Sequence, residues 1–478
     1  MTKCTLALDI GTSSCRCAAI TADGVIHIKK TVSIQPYRPQ IGISEYNATD
    51  LLNASTHVLH QVLDSLNGME AVSLAVSSQR STVVFWEKSS GRVLGPVLTW
   101  EDGRAVQEAA MADISQEEIH ALTGLYKTPY FSAPKIAWML SHCEEIKKAV
   151  ARKELCVAPV ASFFIFHLTK GRVFATDPTL AQRMLLFDIH KGTWNQKLCQ
   201  AFSIPVHILP VIKSTLDDYG AYHYDEVDLP IRVCCADQQA ASSALQPGDT
   251  CINYGTGAFV LRHVGEIPVL LPGLLTSVAP SVSGKKLRYI LEGPVNAAGS
   301  AYLWLEKQGV PVDMEHLDEI CSQAKHPLQI LPAIGGLGAP YWNFMIKPVV
   351  NGQTAHTQPA DWIAGLTRAL ACLITDVIQY MQVNGVAVNS PIGVSGGLSR
   401  SAYLLQFQAD LLQKILTISS DPEETLLGLA RISWGTNVMK RKVEKTFSPH
   451  LSKTKSSKLY QQWQQFVNLN VTQKTLGN

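Results

Sequence analysis

Three short turns carry residue types that could hold a phosphate group. The first follows the apolar run at residues 6–8 and begins with Asp9. Its tip is rich in hydroxyls, which belong to Thr12, Ser13 and Ser14. About 245 residues later a second strand-like run leads into a similar turn, formed by Gly255, Thr256 and Gly257. A third turn contains Gly396 and Gly397. Because glycine allows close backbone approach, N–H groups and hydroxyls at such turns can cradle phosphate oxygens.

Each of these turns could also be a plain hairpin turn. Their repetition favours a nucleotide-binding cleft between two related halves. The sequence contains neither G-x-x-x-x-G-K-[ST] nor a G-x-G-x-x-G that opens a helix, so it gives no motif support for a P-loop or a Rossmann site.

Asp237 is the candidate for a catalytic base. It follows the apolar run at residues 231–235 and precedes a segment of small residues typical of a helix. A carboxylate at the end of a buried strand can face a cleft and accept a proton. The same position also suits a helix N-cap, so the local sequence leaves both roles open.

Strand patterns alternate with helical ones along the chain. Helical apolar spacing covers residues 51–66, 361–381 and 401–412, whereas residues 71–76 and 231–235 are typical of buried strands. The alternation predicts an α/β protein. We place the domain boundary near residues 243–248, which gives an N-terminal domain of residues 1–245 and a C-terminal domain of residues 246–478.

The composition fits a two-domain enzyme of 478 residues. With 46% hydrophobic residues and a formal net charge of +2, the chain is neither a disordered protein nor a general nucleic-acid binder. No stretch approaches the roughly 18 apolar residues that span a bilayer, and Asp9 interrupts the N-terminal apolar run too early for a signal peptide. We therefore expect a cytoplasmic protein without a membrane partner.

Several motifs, in this order along the chain, resemble the FGGY carbohydrate kinases, and within them the glycerol kinase branch. They are residues 6–14, Ser78-Gln79-Arg80, Thr99-Trp100-Glu101-Asp102, Pro129-Tyr130-Phe131-Ser132, Ala236-Asp237-Gln238-Gln239, Tyr254-Gly255-Thr256-Gly257, Gly338-Ala339-Pro340-Tyr341-Trp342 and Ser395-Gly396-Gly397. The resemblance implies two RNase H-like domains of the actin, hexokinase and Hsp70 type. A sugar or polyol and ATP would meet in the cleft between them.

The resemblance also implies roles for individual residues. Asp237 would accept the proton of the attacking hydroxyl and help to hold Mg²⁺, and Asp9 would hold the same ion through water. The substrate would contact Arg80, Ser81, Trp100, Tyr130, Asp237, Gln238 and Phe259. ATP would contact Thr12, Ser13, Ser14, Arg16, Thr256, Gly257, Gly299, Gly397 and Ser401. Arg16 could instead be an exposed strand charge, and each aromatic residue could belong to the core.

Several positions depart from the glycerol kinase pattern. Ser81 stands where a glutamate usually follows Arg80, and a shorter, neutral side chain would leave room for a larger substrate or for water. The other differences are Glu101, Gly103, Leu303, Arg368, Ser395 and the segment 344–354. None of these changes affects Asp9, Asp237 or Thr256, so we expect the chain to retain catalysis.

These expectations define one leading function and two alternatives. The leading function is ATP-dependent phosphorylation of a terminal hydroxyl of a small polyol, with glycerol giving glycerol 3-phosphate and with Mg²⁺ as cofactor. The first alternative is a kinase for a ketose or pentitol such as xylulose or ribulose. The second is a catalytically weakened metabolite-binding regulator, motivated by Leu303, Arg368 and Ser395. No nucleic-acid partner is expected, and a homo-oligomer is left open.

Overall fold

The architecture comes from a computed structural model, which describes residues 1–419, 423–435, 439 and 443–472. The strands of the N-terminal half are β1 (Thr2–Ile10), β2 (Ser14–Thr21), β3 (Ile26–Ser33), β4 (Glu45–Tyr46), β5 (Met69–Ser78), β6 (Val83–Glu87), β7 (Val97–Leu98), β8 (Leu155–Pro159), β9 (Ala175–Thr176), β10 (Phe187–Asp188), β11 (Thr193–Trp194), β12 (Val211–Ile212), β13 (Ala221–Tyr224) and β14 (Val227–Ala236). Those of the C-terminal half are β15 (Thr250–Tyr254), β16 (Ala258–Gly265), β17 (Leu275–Val278), β18 (Tyr289–Val295), β19 (Gln329–Leu331), β20 (Val349–Asn351), β21 (Ile392–Ser395), β22 (Leu416–Ser419) and β23 (Val443–Phe447).

Helices cover the sheets. In the N-terminal half they are α1 (Ala48–Leu63), α2 (Val106–Met111), α3 (Gln116–Thr123), α4 (Ser132–His142), α5 (Glu144–Ala151), α6 (Val160–Leu168), α7 (Pro178–Gln182), α8 (Gln196–Ala201) and α9 (Asp237–Ala241). In the C-terminal half they are α10 (Gly299–Lys307), α11 (Leu317–Gln323), α12 (Pro359–Val383), α13 (Ala402–Leu412), α14 (Glu424–Trp434) and α15 (Lys453–Thr472). Short 3₁₀ helices lie at Val206–Ile208, Ser242–Ala244 and Gly397–Arg400.

The two halves share a sheet plan. The N-terminal sheet has the strand order β13-β14-β5-β1-β2-β3, in which β1, β5 and β14 are parallel and β1 and β2 form an antiparallel hairpin. The C-terminal sheet has the order β17-β18-β16-β15-β21-β22-β23, in which β15, β21 and β22 are parallel and β15 and β16 form the hairpin. The prediction of an α/β protein built from two related halves is confirmed.

The predicted helices and strands are present, with shifted ends. The helix predicted from residue 51 begins at Ala48, because Asn47 accepts the backbone N–H of Thr49 at 2.8 Å and caps the helix before its apolar spacing starts. The strand predicted at residues 231–235 extends over Val227–Ala236. None of the helices in the described part of the chain is long and apolar enough to cross a membrane.

Helix α14 belongs to the C-terminal half of the sequence but packs on the N-terminal sheet. Leu426 and Leu429 are fully buried in a cluster with Ala7 and Ala75 from strands β1 and β5. The surface that α14 buries against this sheet is apolar, so the hydrophobic effect favours the packing of α14 on the N-terminal sheet. A boundary at residue 245 therefore divides the sequence into two halves. The N-terminal sheet is nevertheless covered in part by α14, a helix that follows this boundary.

Candidate active site

The β1–β2 hairpin places a carboxylate beside a guanidinium. Asp9 and Arg16 are register partners on the two strands, and Arg16 donates to Asp9 Oδ2 at 2.6 Å. Ser77 donates to the other carboxylate oxygen at 2.8 Å. Arg16 also donates to Glu423 at 2.9 Å, so the hairpin is tied to the residue that precedes α14. Arg16 is therefore not merely an exposed strand charge.

Asp237 lies at the same edge of the sheet as Asp9. Ser77 pairs with Asp9 on one side and with Cys235 on the other, and Asp237 follows Cys235 by two residues. Because β1, β5 and β14 are parallel, their carboxyl ends meet at this edge. Asp237 is the first residue of α9, its carboxylate accepts the N–H of Gln238 at 2.7 Å, and Ala236 occupies the cap position. The N-cap interpretation of Asp237 is therefore wrong.

The environment of Asp237 suits a proton acceptor. Burial raises the pKa of Asp237 to about 6, the positive charge of Arg80 opposes this rise, and the negative charge of Asp9 adds to it. At neutral pH the carboxylate is ionised, and its basicity is greater than that of an ordinary aspartate.

Arg80 is held by a buried carboxylate from the opposite half of the chain. Glu292, on β18, accepts two hydrogen bonds from Arg80, at 3.1 and 3.2 Å, and one from Arg183 at 2.7 Å. Ser277 donates to the same carboxylate at 2.8 Å. The two guanidiniums lower the pKa of Glu292 to about 2 although burial opposes this shift. Sequence analysis missed Glu292, Arg183 and Ser277.

Two aromatic rings lie next to this cluster. Trp100 and Tyr130 have ring centroids 5.6 Å apart, and the indole N–H of Trp100 donates to the Thr12 hydroxyl at 3.1 Å. Burial raises the pKa of Tyr130, while the charges of Arg80 and Arg183 act in the opposite direction. The structure thus brings Trp100, Tyr130 and Arg80 together with Asp237.

The remaining predicted substrate contacts are Ser81, Gln238 and Phe259. Ser81 adopts a left-handed backbone (φ 61°), and its buried hydroxyl makes no hydrogen bond. Gln238 likewise has a buried side-chain amide nitrogen without a partner. Phe259 pairs with Pro294 across the β16–β18 ladder, on the sheet face that also carries Glu292. Unpartnered polar atoms at a cleft are typical of groups that bind a ligand.

The second phosphate-type turn connects β15 to β16. Thr256 is exposed at its tip, and its carbonyl accepts the N–H groups of Ala298 and Ser300, both at 3.0 Å. A Cβ on Gly299 would lie 2.9 Å from the carbonyl oxygen of Gly255, and one on Gly257 would lie 2.8 Å from that of Val295. These glycines allow the turn and the start of α10 to touch.

The third turn follows β21. Gly396 has φ 91°, and a Cβ there would clash with the Tyr254 carbonyl oxygen at 2.3 Å, whereas Gly397 faces open space. Ser395 accepts a hydrogen bond from Asn253 at 3.0 Å. Ser401 caps α13 through the Leu404 N–H and also donates to Asp318 at 2.5 Å. Its hydroxyl is thus engaged in the fold, which leaves its predicted contact with ATP without support from the geometry.

Two positions that depart from the family pattern, Arg368 and Leu303, have different surroundings. Arg368 donates to the Tyr403 hydroxyl at 2.8 Å and lies over the Phe407 ring at 5.3 Å from the centroid. Both of these partners of Arg368 lie on α13. Leu303 on α10 is 59% exposed.

Comparisons with known proteins identify the family. The N-terminal domain profile of the FGGY family of carbohydrate kinases matches residues 4–242, and its C-terminal domain profile matches residues 250–433. A glycerol kinase of Lactobacillus delbrueckii subsp. bulgaricus is 32% identical, over 97% of this chain and 96% of that protein. A glycerol kinase of Saccharolobus islandicus is 30% identical over the same shares.

Solved structures agree with this assignment. The crystal structure of Plasmodium falciparum glycerol kinase with ADP has a TM-score of 0.92 at 25% identity, covering 98% of both chains. A xylulose kinase from Rhodospirillum rubrum has a TM-score of 0.86 at 20% identity, covering 99% of both chains, which shows a shared fold. The chain belongs to the FGGY family of carbohydrate kinases.

Proposed function

We propose that this carbohydrate kinase transfers the terminal phosphoryl group of ATP to a terminal hydroxyl of glycerol, giving glycerol 3-phosphate. The observation that carries the proposal is the position of Asp237, a carboxylate of raised pKa beside Arg80 and at the same sheet edge as Asp9. The relatives named as glycerol kinases, which align over almost the whole chain, support glycerol as the substrate.

The substrate side of the site would position the hydroxyl. Arg80 is fixed by Glu292 and still has donors of its guanidinium fork for the hydroxyls of a polyol. The rings of Trp100 and Tyr130 would cover the C–H face of the substrate and exclude water. Asp237 would accept the proton of the attacking hydroxyl as the bond to phosphorus forms.

The nucleotide side would neutralise phosphate charge. Arg16, together with hydroxyls and N–H groups of residues 12–14, would face the β- and γ-phosphates, and Thr256 and Gly257 would donate from the opposite half. Gly299 and Gly397 would line the nucleotide with backbone. We keep Ser401 outside this set, because its hydroxyl caps α13.

The residues present fit a magnesium ion held mainly through water. Both oxygens of Asp9 already accept hydrogen bonds, which favours indirect contact, and the repulsion between Asp9 and Asp237 is one that a cation would relieve. Within the described ranges, no three His, Cys, Asp or Glu side chains cluster as metal ligands. This sparse protein ligand set is typical of Mg²⁺, which when bound neutralises charge on the phosphates.

The second candidate is a kinase for a ketose or pentitol, and Ser81 motivates it. A glutamate at this position would offer a charged acceptor to a small polyol, whereas the unpartnered hydroxyl of Ser81 offers a shorter, neutral group. The cytoplasmic location stays a prediction. Whether the protein forms a homo-oligomer stays open.

A substrate panel separates the two candidates. ADP formation from Mg-ATP is measured with glycerol, xylulose, ribulose, xylitol and ribitol, and the phosphorylated product is identified by mass. We expect the highest kcat/KM with glycerol and a product with the mass of a glycerol phosphate. A kcat/KM at least tenfold higher with any five-carbon substrate would reject glycerol and establish the second candidate.

A further inference from the structure

A cavity of about 490 Å³ lies where the two halves of the chain join. We call it the junction cavity. Its walls include Ser242 and Ser243 of the 3₁₀ helix after α9, His263 of β16 and Glu266 just after it, residues 279–282, 285, 286 and 288 between β17 and β18, and Ile432 and Gly435 at the end of α14. Its volume falls within the range of about 300–1,000 Å³ that is usual for small-molecule sites.

The junction cavity is separate from the catalytic cleft. Phe259 and His263 lie on the same strand four residues apart, which corresponds to about 13 Å along β16. A hydrophobic cluster that includes Leu245, Leu261 and Ile290 packs around Phe259. Leu261 lies on the same face of β16 as these two residues, between the predicted substrate contact of Phe259 and the cavity wall at His263.

His263 presents an unpartnered donor at this cavity. The residue is 2% exposed, its Nδ1 accepts the N–H of Gly265 at 3.1 Å, and its Nε2 has no hydrogen-bond partner. Burial lowers the pKa of His263 to about 4, and the charges of Arg288 and Arg262 act in the same direction. A neutral imidazole that accepts at Nδ1 carries its proton on Nε2, so the orphaned group is an N–H donor.

The charge around the cavity favours an anion. Lys285, Lys286 and Arg288 line it, against the single carboxylate of Glu266 among the described lining residues. Ser242, Ser243 and Ser281 also line it, but the hydroxyls of Ser242 and Ser243 already donate to the carbonyls of Gln239 and Gly428, at 3.0 and 3.3 Å. Ammonium, guanidinium and imidazole N–H groups together match the oxygens of a phosphate group.

An apolar wall faces these donors. Leu216, Ala279, Pro280 and Ile432 line the same cavity, and its volume is larger than a phosphate ion needs. We propose that the junction cavity binds a small phosphate ester, with the phosphate on the basic hairpin and His263 and the organic part against the apolar wall. This site would be additional to the ATP and polyol sites of the kinase.

Binding of inorganic phosphate to the full-length protein tests the proposal. The probe is titrated calorimetrically at constant ionic strength, with ADP and Mg²⁺ saturating. We expect saturable binding that the K285Q/K286Q variant weakens about tenfold, since two charge-assisted contacts are lost. The matched control K147Q/K148Q removes two lysines from α5, with the same change in net charge, and should bind phosphate as the wild type does.

A second variant tests the buried donor. His263→Leu should weaken phosphate binding about fivefold, as expected for one lost hydrogen bond. Phosphate bound in the catalytic cleft would be unaffected by all three variants, so an unchanged isotherm in K285Q/K286Q overturns the proposal. An absence of saturable binding in the wild type, or an equal loss in K147Q/K148Q, also overturns it.

Discussion

At the scale of single residues, burial and opposing charges set the basicity of Asp237. Burial and the nearby Asp9 raise its pKa to about 6, and Arg80 limits the rise. A base with this pKa is mostly ionised at pH 7 and still binds a proton more tightly than an ordinary aspartate. The same carboxylate would be protonated, and inactive as a base, in mildly acidic solution.

The pH dependence of the reaction follows from that pKa. Because the proposed base is the ionised form of Asp237, kcat/KM should rise with pH through about 6 and level off above pH 7. The measurement is kcat/KM for glycerol between pH 5 and 8, with enzyme returned from pH 5 to pH 7.5 as a control for inactivation. A profile that is flat from pH 5 to 8 would contradict the role of Asp237 as base.

Glu292 is the second residue with a specific expectation. Glu292 is 1% exposed, and its carboxylate forms ion pairs with two buried guanidiniums, those of Arg80 and Arg183. Glu292→Gln should lower the free energy of unfolding by about 3–5 kcal/mol, because buried charges lose their partner. It should also raise the KM for the polyol, since Arg80 is no longer held in place. Urea denaturation and steady-state kinetics measure the two effects.

Glu70→Gln is the matched control for that substitution, because Glu70 is exposed at the start of β5. It should change stability by less than about 0.5 kcal/mol. If Glu292→Gln changed neither stability nor KM by more than this control, the buried cluster would have no role in positioning Arg80.

The sequence predicted the residues of the short motifs but not their partners. Asp9, Arg80 and Asp237 each stand in a recognisable local pattern, whereas Glu292 lies within the ordinary apolar strand β18. Glu292 lies 212 residues after Arg80, and their contact exists only once two distant strands meet. The contact of Ser401 with ATP, which the resemblance implied, stays a prediction, and the structure shows that its hydroxyl caps α13.

At the scale of elements, helix α14 supports the short helix that carries Asp237. A Cβ on Gly428 would lie 1.9 Å from the carbonyl oxygen of Ala240, so α14 and α9 pack backbone against backbone. Glycine is the residue that permits this approach. The position of α9, and therefore of Asp237 at its first residue, depends on α14 lying this close.

Gly428→Ala tests that dependence. The added methyl group should push the two helices apart, which costs about 1–3 kcal/mol of stability and lowers kcat at least tenfold. Thermal unfolding and steady-state kinetics are measured for this variant and for the control Gly103→Ala. At Gly103 the nearest atom to a new Cβ is 3.6 Å away. Equal kcat values in the two variants would show that α14 does not position the base.

Element types were predictable from periodicity, whereas their ends were not. The long apolar spacing of residues 361–381 corresponds to α12, which extends from Pro359 to Val383. Apolar spacing starts at the first residue that faces the core, while a helix starts at its cap, here Gln358 with Asp361. Caps are short-range polar contacts, so they shift boundaries without changing the type of element.

At the scale of the whole molecule, the halves are joined by buried polar and apolar contacts. Arg80, two residues after β5, pairs with Glu292 of the C-terminal sheet, and Thr5 and Ser73 of the N-terminal sheet form hydrogen bonds with Ser433 of α14 at 3.2 and 2.9 Å. The prediction of two sequence halves did not include the packing of α14 on the N-terminal sheet, because no local pattern specifies which sheet a helix covers. The buried cluster of Arg80, Arg183 and Glu292 is consequently built from both halves.

Glycerol-dependent ADP formation by Asp237→Asn tests whether Asp237 is the catalytic base. The amide keeps the shape of the side chain but cannot act as the base, so we predict a loss of about 10²–10⁴ in kcat with nucleotide binding retained. Asp113→Asn, at an exposed site, is the matched control and should behave as the wild type. Turnover by Asp237→Asn within tenfold of the wild-type rate would contradict the assignment of Asp237 as the catalytic base.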